Sequence, residues 1–206
     1  MNLPNKITLS RICLIPVFVL VFFLDNVMPF AHGVAAIIFI LAACTDFIDG
    51  YIARSRGLVT NLGKFLDPIA DKVLVSTAML LILTMQKSLF NFFGIHAEWI
   101  YIATAVCICV IMARELIISA FRQIAAVNGV VMAADKLGKF KTIFQDIAIG
   151  IILSASGILS VLPTGFQIWG VCLAGLGLLC FVFATVLTVW SGIAYVINNK
   201  QVLKDA

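Results

Sequence analysis

The sequence predicts an all-α fold, a polytopic integral membrane protein with six transmembrane helices forming a single domain over residues 1–206. Three observations predict it. Hydrophobic residues make up 63% of the chain and charged residues only 12%, about half the charged share of a soluble domain. Apolar stretches near the roughly 20 residues that cross a bilayer recur along the whole length. Backbone groups in lipid must bond within their own segment, so each such stretch is expected to be a helix.

The first span is expected over 7–24, closed by Asp25 and Asn26. The segment ahead of it is short and polar, and no small-residue cleavage site follows. It therefore reads as a retained first helix and not a signal peptide. The second span is expected over 33–54, and the third begins at Asp67-Pro68 and reaches 85. The fourth is expected over 98–126, the fifth from 141 to just before Pro163, and the sixth over 166–198. No charge lies between Ile147 and Asn199, too long a stretch for one crossing. Pro163-Thr164-Gly165 is where it is expected to turn.

Six spans put both termini on one side. That side collects Lys6, Arg11, Arg54, Arg56, Lys64, Lys72, Arg114, Arg122, Lys136, Lys139, Lys141, Lys200 and Lys204, and the other has Lys87 alone. The bias places the termini in the cytoplasm. The six cysteines, Cys13, Cys44, Cys107, Cys109, Cys172 and Cys180, all sit in apolar stretches and read as small apolar fillers. Cys107 and Cys109, two apart, are expected on different sides of a helix. His32 and His96 are expected in loops on the face opposite the aspartates described next, which argues against a histidine metal site or base.

Asp46 and Asp49 lie three residues apart near the end of the second helix; Asp67 and Asp71 lie four apart at the start of the third. Each spacing puts a pair on one helix face. The link from Ser55 to Gly63 is short, so the two helices are expected to be antiparallel neighbours with four carboxylates along one seam. Carboxylates at membrane depth need partners, and four together repel one another unless cations bind. Hard oxygen donors suit Mg²⁺ or Mn²⁺. Two such ions about 3.5–4 Å apart clamp the attacking and leaving oxygens in a displacement at phosphorus. Gly50 and Ala53 carry little or no side chain on that helix, and Arg54 offers a planar donor to an anionic oxygen. Two other classes compete: a small cation transporter or channel, and a membrane scaffold. Aspartates at helix ends with a loop between them disfavour a conduction path, and a scaffold leaves the charge unexplained.

The whole string, Asp46-x2-Asp49-Gly50-x2-Ala53-Arg54-x8-Gly63-x3-Asp67-x3-Asp71, resembles the full signature of the CDP-alcohol phosphatidyltransferase family, with every fixed position present. The resemblance implies that family's membrane bundle and a CMP-containing donor lying against Asp46, Asp49, Gly50, Ala53, Arg54 and Gly63. It implies that Asp46, Asp49 and Asp67 ligate the metals. It further implies that Asp71 contacts a metal and removes the acceptor hydroxyl's proton.

Three further segments, 2–11, 113–122 and 137–142, resemble the bacterial branch of that family, the phosphatidylglycerophosphate synthases of phospholipid biosynthesis. That branch implies CDP-diacylglycerol as donor and glycerol 3-phosphate as acceptor, with phosphatidylglycerophosphate and CMP as products. An anionic acceptor needs its own cations. Arg114, Arg122, Lys139 and Lys141 are the candidates, Arg114 being a charge well inside a span. Thr8 and Arg11 are expected to border the same region. Serine, an inositol phosphate or phosphatidylglycerol as acceptor would use the same aspartates, and cation counting does not separate an inositol phosphate from glycerol 3-phosphate. A homodimer is implied by resemblance. Ser76, Thr77 and Ala78, and Gly175 and Gly177, permit close helix packing, between copies or within one.

Overall fold

The structure, a computed structural model, describes the backbone of residues 3–55, 61–85, 89–127 and 136–198, and the side chains of 8–45, 66, 69–85, 89–125, 138–163 and 165–198. Six α-helices account for most of it: α1 (Leu3–Phe22), α2 (Ala31–Ser55), α3 (Asn61–Thr84), α4 (Ala97–Val127), α5 (Lys136–Val161) and α6 (Gln167–Asn198). There is no strand among the described residues. Among the described residues three stretches are long and apolar enough to cross a membrane, Phe90–Ala125, Gly138–Val161 and Gln167–Asn198, and shorter apolar stretches fill Thr8–Phe22 and Ala31–Thr45. The outward faces are apolar too, with Leu176, Leu179, Val186, Trp190 and Ile197 all exposed on α6. An outer surface of that kind is stable against lipid and not against water, so the chain is a membrane protein.

The helix boundaries depart from expectation in ways that matter for the site. α3 starts at Asn61, not at Asp67-Pro68, so Gly63, Asp67 and Pro68 lie inside the helix and the link shrinks to 56–60, outside the described residues. One glycine costs about 1 kcal/mol relative to alanine, too little to hold back a helix whose next turns are packed. α5 likewise begins at Lys136, which puts Gly138, Lys139 and Lys141 in its first turns and not in a link. A glycine and three lysines at a helix start read as loop, since cations disfavour an N-terminus. Thr142 Oγ1 donates to the Gly138 carbonyl (3.1 Å), and Lys141 pairs with Glu115 of α4. Those contacts hold the turns helical. His32 is no loop residue: it sits in the first turn of α2, 4% exposed, with Nδ1 2.8 Å from Ser156 Oγ of α5. Ahead of α4, Phe90–His96 forms a short 3₁₀ segment, kinked at Gly94 with φ 60° and ψ −129°. That backbone conformation favours glycine.

α5 packs most closely on α6 and also on α2; α1 packs on α2 and α3, and α4 on α6. α2 and α3 touch, as the short link requires. The main core joins Phe18 and Phe22 of α1, Phe39 of α2, Met79 and Ile82 of α3, Ile108 and Ile111 of α4, Ile149 and Ile152 of α5, and Phe181 of α6. Small residues set the close approaches. A Cβ on Gly157 of α5 would fall on the Gly33 backbone of α2, and one on Gly177 of α6 would meet Ile152 Cγ1 at 2.8 Å. Gly177 and the fully buried Ala78 thus serve packing within one copy, whereas a Cβ on Gly175 would meet open space. Buried hydroxyls bond back along their own helices: Thr185 to Phe181 (2.9 Å) and Thr188 to Ala184 (2.7 Å). Neither hydroxyl is thereby left to lipid. Cys107 packs against the core while Cys109 is exposed, so the two do face different sides of α4.

Candidate functional site

A cavity of about 960 Å³ opens among α2, α3, α4, α5 and α6, at the upper end of the range for small-molecule sites. Its wall has two parts. Asp71 and Lys72 of α3, Arg114, Glu115 and Arg122 of α4, and Lys139 and Asp146 of α5 make the charged part. Phe39, Ile40 and Ala43 of α2 and Ile143, Ile147, Gly150 and Ile151 of α5 make an apolar part. One cavity therefore presents three carboxylates, a set of cations and a hydrocarbon wall. A molecule with an anionic head and apolar tails has the matching pattern. A second groove of about 680 Å³, lined by Val110 of α4 and by Val186, Val189 and Trp190 of α6, has no charged residue on its wall.

The cations are held by named partners. Arg114 Nη1 donates to Glu115 Oε1 (3.1 Å), and Nη2 donates to Ser191 Oγ of α6 (2.9 Å). Arg114 Nε is buried with no hydrogen-bond partner. A buried N–H in that state costs about 1–3 kcal/mol, which an incoming anion would relieve. Lys141, 3% exposed, donates to the same Glu115 oxygen. Glu115 thus ties α4 to the start of α5. Arg122 Nε donates to Tyr195 Oη of α6 (3.2 Å), and its guanidinium carbon lies 5.4 Å from that ring's centroid. Lys72 donates to Ser119 Oγ, and Ser119 donates in turn to the Glu115 carbonyl (2.5 Å). The residue next to Asp71 is thereby anchored to α4.

Of the site residues expected from sequence, Asp71, Arg114, Arg122 and Lys139 line this one cavity. Lys141 stands behind it, joined through Glu115. Thr8 and Arg11 are both buried on α1 at 1% exposure, and neither is among the residues lining the cavity. Asp46, Asp49, Gly50, Ala53 and Arg54 lie on α2, and Gly63 and Asp67 on α3; their side chains are outside the described residues. Among the described residues no cluster of three metal-ligating side chains occurs. Sequence reasoning missed Lys72 on the cavity wall, and Ser119, Ser191 and Tyr195 as partners of the cations. A serine or tyrosine in an apolar helix carries no signal until the facing helix is known.

Comparison with known proteins gives the family. Residues 1–190 match the profile of the CDP-alcohol phosphatidyltransferase family. A CDP-diacylglycerol–glycerol-3-phosphate 3-phosphatidyltransferase of Bacillus subtilis (strain 168) is 40% identical over 215 residues, covering 100% of this chain and 98% of the relative. One of the same name from Escherichia coli (strain K12) is 40% identical over 207 residues, covering 99% and 98%. A third from Rickettsia typhi is 37% identical over 155 residues, covering 75% and 78%. With matches spanning all six helices and the cavity between them, the chain belongs to the CDP-alcohol phosphatidyltransferase family.

Proposed function

We propose that this chain transfers the phosphatidyl group of CDP-diacylglycerol to glycerol 3-phosphate, giving phosphatidylglycerophosphate and CMP. The observation that carries the reading is the cavity that joins Asp71 to Arg114, Arg122 and Lys139 beside an apolar wall. The diacyl tails lie in lipid and along Ile143, Ile147 and Ile151. The acceptor's phosphate accepts from the arginines, including the partnerless Arg114 Nε–H. The acceptor's hydroxyl gives its proton to the Asp71 carboxylate, and its oxygen attacks the β-phosphorus. A new P–O bond forms, the bond to the bridging oxygen breaks, and CMP leaves.

The donor set fits a hard divalent cation. Asp46, Asp49, Asp67 and Asp71, on two helices in contact, would hold Mg²⁺ or Mn²⁺, two ions in all. Bound there, the cation supplies charge neutralisation at the diphosphate. Arg54 grips the diphosphate, and the small Gly50, Ala53 and Gly63 let the cytidine approach. All six helices span the cell membrane in this reading, with both termini and the site on the cytoplasmic side, where the water-soluble acceptor is supplied.

The test is CMP release by the purified protein in detergent with CDP-diacylglycerol and Mg²⁺. Glycerol 3-phosphate, serine, inositol 1-phosphate and phosphatidylglycerol are offered one at a time. Release with glycerol 3-phosphate alone is expected. Release only with another acceptor would reassign the basic residues. Chelation of divalent cations should stop turnover and Mn²⁺ or Mg²⁺ should restore it; turnover that persists in chelator would overturn the metal assignment.

A further inference from the structure

Neither arginine that faces the cavity from α4 is held by α4 alone. The structure assigns a positioning role to the last turns of α6: Tyr195, together with Ser191, holds Arg122 and Arg114 in register for the acceptor's phosphate. This rests on the reading of the cavity's cations as that phosphate's site.

Five observations carry it. Tyr195 is 4% exposed yet lines the charged part of the cavity. It receives Arg122 in two ways at once, through its hydroxyl (3.2 Å) and across its ring face (5.4 Å). Its ring is seated in a small cluster apart from the main core, with Ile118, Phe121 and Ala125 of α4; the Phe121 and Tyr195 rings meet edge-on at 6.2 Å and 73°. One turn earlier, Ser191, 1% exposed, accepts from Arg114 Nη2 (2.9 Å). Next to Ser191 stands Gly192, where a Cβ would come within 3.1 Å of Arg114 Cγ.

The physical reasoning is preorganisation. An arginine has long, mobile side-chain torsions, and ordering them on binding weakens affinity. A tyrosine that holds the guanidinium by hydroxyl and ring fixes it beforehand. Cation–π contact and hydrogen bond are each modest, and together they are expected to shift acceptor affinity about tenfold. Neither touches the reacting phosphorus, so the chemical step should be little changed. Ser191 and Tyr195 are thus positioning residues in a helix whose sequence is otherwise an apolar span.

The experiment measures steady-state kinetics of the full chain in detergent, with thermal unfolding as a check on folding. Tyr195→Leu should raise the KM for glycerol 3-phosphate about tenfold, leaving kcat and the KM for CDP-diacylglycerol within about twofold. Tyr195→Phe keeps the ring and should recover most of the loss. Ser191→Ala should raise the acceptor KM about threefold. Ile193→Ala, at an outward position 57% exposed on the same turn, should change nothing. Combining Tyr195→Leu with Arg122→Ala should add little beyond Arg122→Ala, because the tyrosine acts through the arginine. Equal rises in both substrates' KM, or full additivity with Arg122→Ala, would overturn the assignment. Should Tyr195→Leu fail to fold, Ser191→Ala, which removes the hydroxyl that accepts from Arg114, carries the test by the same split between acceptor and donor. If the unsubstituted protein uses a different phosphorylated acceptor, the proposed acceptor fails alone; Tyr195→Leu should then raise that acceptor's KM instead.

Discussion

Asp71 and Glu115 are the two carboxylates whose surroundings define the site residue by residue. Asp71 shares its cavity with four cations, Lys72, Arg114, Arg122 and Lys139. Asp71→Asn keeps the shape and removes the proposed proton acceptor. It should abolish CMP release while leaving donor binding largely intact, as measured by retention of radiolabelled CDP-diacylglycerol. Loss of donor binding as well would make Asp71 chiefly a metal ligand. Glu115 has the opposite duty, since it accepts from both Arg114 and the almost fully buried Lys141. Glu115→Ala strands a buried ammonium, and such losses run to about 2 kcal/mol. A lowered unfolding temperature in detergent is expected, with a raised KM for the acceptor. An unchanged unfolding temperature would mean that Lys141 finds another partner. At this scale the sequence was informative where spacing encodes geometry. The aspartates stand at helical intervals, and Arg114 is conspicuous as a charge inside a span. It was silent about Ser191 and Tyr195, because a hydroxyl in an apolar helix takes its meaning from the helix it faces.

Among the elements, the contact of α2 with α5 bears on the site most directly, for both helices line the cavity. Their close approach is set where Gly157 meets Gly33, and it is fastened by the His32–Ser156 hydrogen bond and by Ser160 donating to the Pro29 carbonyl. Gly157→Ala puts a methyl group onto the Gly33 backbone, which has no side chain to rotate away. Overpacking of this kind costs about 1–3 kcal/mol, so thermal unfolding should come earlier by that amount. Ser154→Ala, a few residues away on the half-buried wall of α5 with its hydroxyl bonded to its own helix at Gly150, should be close to neutral. If Gly157→Ala matches it, the helices have room that the structure does not show. Six helices were legible from apolar length. Their starts were not: α3 and α5 both begin five or six residues ahead of the expected point. Glycine and lysine near a start resemble a loop until tertiary partners, here Glu115 for Lys141, hold the turn in place.

Taken whole, the molecule puts its charge and its apolar surface to separate use. Trp190, Leu179 and Leu176 face outward on α6, while Arg114, Glu115 and Lys141 are turned inward to one another across α4 and α5. The basic residues counted for orientation are therefore not all free to report on topology. Arg11 and Lys141 are buried and Arg114 is half-buried, and positive-inside bias belongs to charges in flanking loops. What remains on that side still outnumbers Lys87, which lies outside the described residues. The cytoplasmic placement of the site is best tested by chemistry. Glycerol 3-phosphate is doubly charged and does not cross a bilayer unaided. Membrane vesicles turned inside out, supplied externally with glycerol 3-phosphate, should release CMP from CDP-diacylglycerol already in the bilayer. Right-side-out vesicles should do so only after permeabilisation. Equal rates in sealed vesicles of both orientations would mean that the cavity is reached from both faces, and activity confined to right-side-out vesicles would invert the topology. Because Asp71, Arg122 and Lys139 line a single cavity, the side that admits the acceptor also fixes the side on which the carboxylate end of α3 lies, and with it the orientation of every helix in the bundle.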